Sequence, residues 1–355
     1  MADSTWRLRP DQPDWDEWRE RAAHDFYHDA AYHALAQHAG EGTAYLLVHG
    51  NPERFVAWPY LVRAIDDDHV DGCSVYGYSG PFGPGLSDPA LLTRAWASFR
   101  EAWAEQRLVT LFTRLHPLLD NAAPCAALHG ARPPEGGELL TIGRSVSLDL
   151  ATSSEARRRG YRKVLRQEIA AAYRAGLIVE EDVGWTCLAH LAELYRATMA
   201  RNAASDRYVY SDAYFAALRD ALGDTGHLAL ARVGDVPVAL LLFTVRGGIA
   251  QAHLTGASAE WRHLSPLKAL IDGVAELARG HGATRLHLGA GRGGHEDSLF
   301  AFKGRFSPLR HDFVLGRWVL DAELDAHLSA AAHPIGRPDG RFFPAYRAPP
   351  AVIER

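Results

Sequence analysis

Three strongly apolar runs follow one another between residues 228 and 256 with only short glycine-containing links between them. No other stretch constrains the fold so tightly. Residues 228–233, 236–245 and 249–256 are rich in leucine, valine and isoleucine and are joined at Gly234-Asp235 and Gly247-Gly248. Links of this length close antiparallel hairpins and cannot carry a crossover, so the runs predict a three-strand meander. A helical pattern at 267–280, a strand at 285–288, a short helical segment before Pro308 and a strand at 313–320 follow. The resulting order is strand, strand, strand, helix, strand, short helix, strand.

The preceding half reads as α/β as well. Two short helical patterns (14–23 and 30–38) lead to a hairpin around Gly50-Asn51-Pro52-Glu53, and a helix at 91–106 leads to a strand at 109–113. Each hairpin or meander comes after a pair of helices, which suggests a weak internal repeat. A loose segment rich in Ala, Gly and Pro (117–137) separates the halves, and 139–150 forms a strand ahead of the capping sequence Thr152-Ser-Ser-Glu155. We therefore expect domains at 1–145 and 146–330, followed by a proline-rich tail at 331–355. Phe342, Phe343 and Tyr346 are expected to pack the tail onto the body. At 355 residues and 47% hydrophobic content, the chain is long enough for two cores.

Bulk properties exclude several classes. A formal charge of -5 argues against coating nucleic acid through overall basicity. Three cysteines without paired spacing build neither a disulfide framework nor a zinc knuckle. His24 and His28 are one helical turn apart, but nothing completes a ligand set, so no metal site is expected. The start of the chain resembles no secretory signal and no apolar run approaches a membrane span, which leads to the expectation of a cytoplasmic protein.

Chemistry concentrates in four places. The helix expected at 156–175 carries Arg157, Arg158, Arg159, Arg162, Lys163, Arg166 and Arg174, a concentration suited to a phosphate-rich partner. Residues 75–85 combine glycine and proline with three aromatics, forming either a substrate-facing loop or a packed turn. The segment 202–210, with two tyrosines, could close over a ligand. The stretch from Leu286 to Pro308 holds a glycine-rich turn, the pair Glu296-Asp297, and Lys303 between Phe302 and Phe306. Its Gly289, Gly291 and Gly294 fit the dinucleotide pattern, but too little chain remains for a nucleotide-binding βαβ array. No nucleophile elbow of a serine hydrolase occurs.

The element order resembles the GNAT acyltransferase fold, and particular residues resemble its FemABX branch. These are Phe26-Tyr-His with Tyr32, Val75-Tyr-Gly-Tyr-Ser-Gly-Pro81, Arg166 with Ile169, Ala172 and Gly176, His253-Leu-Thr-Gly256, Trp261-Arg-His-Leu-Ser-Pro266, and Leu288-Gly-Ala-Gly through Asp297-Ser-Leu-Phe-Ala-Phe-Lys303 to Phe306-Ser-Pro308. The resemblance implies tandem GNAT-like domains with a cleft between them, the first on the acceptor side and the second on the acyl-donor side. It also implies an aminoacyl-tRNA as co-substrate, no resident cofactor, and transfer to an amine of a peptidoglycan precursor or peptide-like natural product, the acceptor being a small or nucleotide-linked peptide. By that resemblance Lys303, after Phe302, steadies the reacting ester. Arg166, Lys163 and Arg305 are candidates for holding the donor and its RNA end, and Tyr78, Ser79, His253 and Arg262 for the acceptor. Glu296, Asp297 and His253 are candidate proton acceptors. The chain departs from the pattern in having Ala170-Ala171 where relatives often carry Arg-Lys, and in lacking a coiled-coil arm. The alternative donor is an acyl-CoA. Its pyrophosphate would need donors at the helix start after the meander, where Pro266 removes one.

Overall fold

The computed structural model describes residues 3–127, 137–202, 209–333 and 342–349. It divides into two compact units, residues 1–142 with 313–355 and residues 143–312. In chain order the first contributes β1 (Ser4–Leu8), α1 (Asp14–Glu20), α2 (Ala30–His38), β2 (Thr43–Asn51), β3 (Arg54–Ala64), β4 (Val70–Cys73), α3 (Pro89–Glu105), β5 (Leu108–Arg114) and α4 (Ala122–Ala127). Next come β6 (Gly137–Asp149), α5 (Ser154–Gly160), α6 (Lys163–Arg174), β7 (Leu177–Glu181), α7 (Leu188–Arg201) and α8 (Asp212–Leu222). The meander follows as β8 (Gly226–Val233), β9 (Val236–Arg246) and β10 (Ile249–Ala257), then α9 (Pro266–Gly280), β11 (Arg285–Ala290) and α10 (Ser298–Lys303). Finally β12 (Arg310–Val319) and α11 (Ala322–Ala332) close the first unit.

The two units share one pairing pattern. In the first, β1, β2, β3 and β4 are successively antiparallel, β4 and β5 are parallel, and β12 lies antiparallel to β5. In the second, β7, β8, β9 and β10 are antiparallel, β10 and β11 are parallel, and β6 lies antiparallel to β11. Two helices sit between the first and second strands of each set, and a long helix provides the crossover that each parallel pair requires. The expected repeat is therefore a repeat of whole topology.

The last strand differs from its expected place. Leu315–Val319 of β12 pairs with Thr110–Arg114 of β5, so residues 313–330 belong with the first unit and not with the preceding domain. Trp318 is the physical anchor, at 5.3 Å from the ring of Trp58 and 5.8 Å from that of Trp96, inside a core that also holds Trp103 and Phe99. The tail follows the same unit. Tyr346 hydrogen-bonds Thr110 and Arg347 pairs with the buried Asp71, whereas Phe342 is exposed and does not serve as an anchor. Residues 334–341 and 350–355 of the expected tail lie outside the described residues.

In the second unit, α9 buries Leu270, Ile271, Val274, Ala275 and Ala278 against the sheet. The basic helix expected at 156–175 is two helices. Tyr161 and Arg162 adopt extended backbone, and Tyr161 is buried edge-on to Phe306 at 5.5 Å. Ser153, not Thr152, provides the N-cap of α5. Arg158 reaches the wholly buried Asp272 of α9 through two nitrogens at 3.0 and 2.8 Å, and Tyr173 adds a hydrogen bond at 3.3 Å. Arg158, with Arg157 paired to Glu276, therefore holds α5 to α9. Strand β7 was not foreseen, being five residues long and ending in two glutamates.

Trp318→Ala is expected to lower the stability of the first unit by about 3–5 kcal/mol, as for other large aromatic deletions in packed cores. Urea unfolding measures this. An unchanged midpoint would mean that β12 does not complete that core.

Candidate active site

The glycine-rich turn after β11 is a packed structure whose purpose is to place α10. Gly289 has φ +78° and sits where the pairing of β11 with β6 slips by one residue, a bulge only glycine enters cheaply. A side chain at Gly291 would collide with the His295 carbonyl and the Asp297 carboxylate. Asp297 then caps α10, accepting from the amides of Leu299 and Phe300 at 3.0 Å each, and also binds Arg292 Nε at 2.9 Å. Glu296 is held by Arg144 through two contacts at 2.7 and 3.0 Å. Both acids expected as proton acceptors are thus engaged in holding the turn.

Lys303 is the last residue of α10. Its ammonium turns back to donate to the Ala290 carbonyl at 2.6 Å, and among the described residues this is its one hydrogen-bond partner. Two further N–H donors of the ammonium remain for a ligand. Burial pushes the ammonium down to about 8, with the charge of Asp297 acting in the opposite sense. A cation that is still charged near neutral pH, yet little stabilised by solvent, is suited both to stabilise an oxyanion and to give up a proton.

Phe302, one residue earlier, packs edge-on to Phe306 at 5.7 Å and faces a cavity of about 290 Å³. Arg262 also lines that cavity, as do Arg201, Lys268, Thr198 and Thr255. Arg201 is braced on the Ala257 carbonyl at 2.9 Å and Lys268 on Glu168 at 2.5 Å. Three cations around one concavity suit an anionic ligand. Arg201 and Lys268 escaped notice because they come from the end of α7 and the start of α9, and no spacing links them. At the start of α9, Ser265 has φ +51° and its carbonyl accepts from the Lys268 amide at 3.0 Å. With Pro266 next to it, the helix start offers few free amides, and the charge around the cavity comes from side chains.

The other expected residues are distributed differently. Arg166 is exposed, but its guanidinium donates to the carbonyls of Arg159 and Tyr161 at 2.6 and 3.0 Å, bridging the break between α5 and α6. Lys163 and Arg305 are exposed, and the Arg305 carbonyl accepts from the Arg162 amide at 3.1 Å. These residues form a basic face beside α10 and do not line the cavity. His253 is the extra residue of a bulge between β10 and β9, and burial lowers its imidazole to about 3, too weak a base for proton abstraction near neutrality.

In the first unit, Tyr78 is half-buried among Phe313, Tyr27 and His116, with Phe313 at 5.0 Å. Ser79 is fully buried. Its amide donates to Arg114 and its carbonyl accepts from Asn121 at 2.9 Å. The 75–85 segment is thus a packed turn, and Ser79 is buried within it. Phe26, His28 and Tyr32 lie beneath it, Tyr32 donating to the Tyr76 carbonyl. Of the segment 202–210, expected to close over a ligand, residues 203–208 lie outside the described residues, and no helix among the described residues is long and apolar enough to cross a membrane.

Lys303→Met is expected to lower turnover by about 10²–10³-fold if the ammonium serves as an oxyanion donor. The same change carries a stability signature. The folded chain holds this proton less tightly than the unfolded chain, so native stability rises with pH between about 8 and the ordinary lysine value near ~10.4. Removing the amine abolishes that rise. Any stability gained by the variant at pH 7 shrinks toward pH 10, which paired thermal melts will register.

No curated protein matches this chain in sequence. Residues 157–302 match the family model described as Acetyltransferase (GNAT) domain. Among solved structures, FemX superposes with a TM-score of 0.70 at 13% identity, covering 91% of this chain and 99% of FemX. A conserved protein of unknown function from Bacteroides thetaiotaomicron superposes with a TM-score of 0.54 at 12% identity, covering 87% of this chain and 92% of that one. Residues 157–302 thus match a GNAT acetyltransferase domain, and the chain as a whole shares its fold with FemX.

Proposed function

We propose that the acyl donor is an aminoacyl-tRNA and that the product is an amide on an amine of a peptidoglycan precursor or peptide-like natural product. The observation that carries this reading is the placement of Lys303. It is a partly desolvated ammonium, fixed by the Ala290 carbonyl, beside an aromatic that opens onto a cation-lined cavity. An aminoacyl ester is already activated, so the enzyme has to position it and stabilise the tetrahedral oxyanion. The acceptor amine attacks the ester carbonyl, forming the C–N bond. The C–O bond to the ribose then breaks, and the proton lost by the amine ends on the departing ribose hydroxyl. Lys303 stabilises the oxyanion through its two remaining N–H groups and, with its lowered affinity for a proton, is suited to relay one to the leaving oxygen. The exposed Lys163, Arg162 and Arg305 give the RNA phosphates a basic face next to α10.

An acyl-CoA donor is the second reading, favoured by the ring of Arg201, Arg262 and Lys268 around a cavity large enough for part of a phosphorylated ligand. The amide already used at the start of α9 weighs against a pyrophosphate cradle there.

The donors separate cleanly in an assay with radiolabelled amino acid, a pool of charged tRNAs and a panel of peptide and nucleotide-linked peptide acceptors. Amide formation is expected with charged tRNA, abolished by ribonuclease and falling steeply with added salt as phosphate contacts weaken. Product from acyl-CoA alone that is insensitive to ribonuclease would overturn the tRNA reading.

A further inference from the structure

A second chemical cluster lies on the second unit, apart from the cavity. Glu181 is the last residue of the edge strand β7, His227 is near the start of the adjacent β8, and His281 directly follows α9. Glu181 Oε1 is 2.8 Å from His227 Nδ1, and Oε2 is 2.8 Å from His281 Nε2. The two imidazoles stack with centroids 3.9 Å apart, and His227 stacks in addition on Phe243 at 5.0 Å. One nitrogen of each ring and a carboxylate oxygen lie within 4.8 Å of one another. Donors bound tetrahedrally to one zinc at ~2.0–2.1 Å stand roughly 3.4 Å apart, so side-chain rotations of about an ångström are needed to close the set on a single ion.

The protonation states suit a cation. Burial holds the His227 imidazole below its ordinary value, which favours the neutral form that coordinates metal. Burial works to raise Glu181, but the hydrogen bonds from His281 and His227 outweigh it and keep the carboxylate charged. Glu181 and His227 are half-buried while His281 is exposed, so the set has an entry path and an outer position for water.

We propose that Glu181, His227 and His281 form a binding site for a borderline divalent cation, with Zn²⁺ the best match to two imidazoles and a carboxylate. The ion would fasten β7, β8 and the C-terminal end of α9 together. The start of α9, roughly 20 Å away along a helix of this length, lines the cavity, so the site is structural and takes no part in the acyl transfer. Its members are 46 and 100 residues apart in sequence, which hides them from any spacing motif.

Tag-free full-length protein, stripped with chelator, is titrated with Zn²⁺ by calorimetry and with Co²⁺ by visible spectroscopy. The expected result is one equivalent of saturable binding, cobalt absorption bands displaced by Zn²⁺, and a higher melting temperature, because the ion binds only the folded chain. His281→Asn, at an exposed position beyond the helix end, is expected to retain the native circular dichroism and to bind Zn²⁺ at least ~10-fold more weakly. Should that variant fail to fold, Glu181→Gln reads out the same loss. The proposal is overturned by absence of saturable Zn²⁺ and Co²⁺ binding to the wild-type chain, or by undiminished binding in a folded variant.

Discussion

The geometry of the candidate site depends on the contact between the Lys303 ammonium and the Ala290 carbonyl. This contact joins the end of β11 to the end of α10 and keeps a cation where little water can stabilise it. Everything around it serves that placement. The bulge at Gly289 redirects the strand, Gly291 lets the turn fold onto itself, and Asp297 both caps α10 and draws the ammonium's charge. Because successive helical residues point about 100° apart, the same short helix sends Phe302 into the cavity while Lys303 reaches back to the strand. Such an arrangement has a cost in stability, which is the usual mark of a site kept for function.

Much of the fold was legible because it rests on short-range signals. The meander at 228–256 combines apolar runs with glycine turns, and the helix after it has a clean apolar face. What escaped was non-local or short. Pairing of β12 with β5 spans about two hundred residues of chain, so sequence order alone assigned the strand to the wrong unit. β7 is a brief edge strand with a polar end, and the break at Tyr161 is imposed by packing on Phe306, which no helix-propensity argument contains.

The site was legible to a similar degree. Lys303 and Phe302 stood out through the unusual turn that precedes them, and the structure gives each a defined place. Glu296 and Asp297 looked like acid-base candidates because their partners Arg144 and Arg292 could not be recognised from sequence. Arg166 looked like a phosphate ligand, and one nitrogen of its exposed guanidinium is held by two backbone carbonyls. Ser79 drew attention through its aromatic neighbours and is buried in their packing. The cations around the cavity, contributed by α7, by the turn after β10 and by α9, converge only in three dimensions.

The chain has only three lysines, Lys163, Lys268 and Lys303, although it is rich in arginine. Selective ¹³C labelling of the lysine ε-carbon therefore gives three resonances, and Lys303→Met identifies one of them. The account predicts that this resonance titrates near pH 8 in the folded chain and returns to the ordinary lysine range of about 10.4 on unfolding. A Lys303 resonance that titrates near ~10.4 in the native protein would contradict the desolvated ammonium on which the site depends.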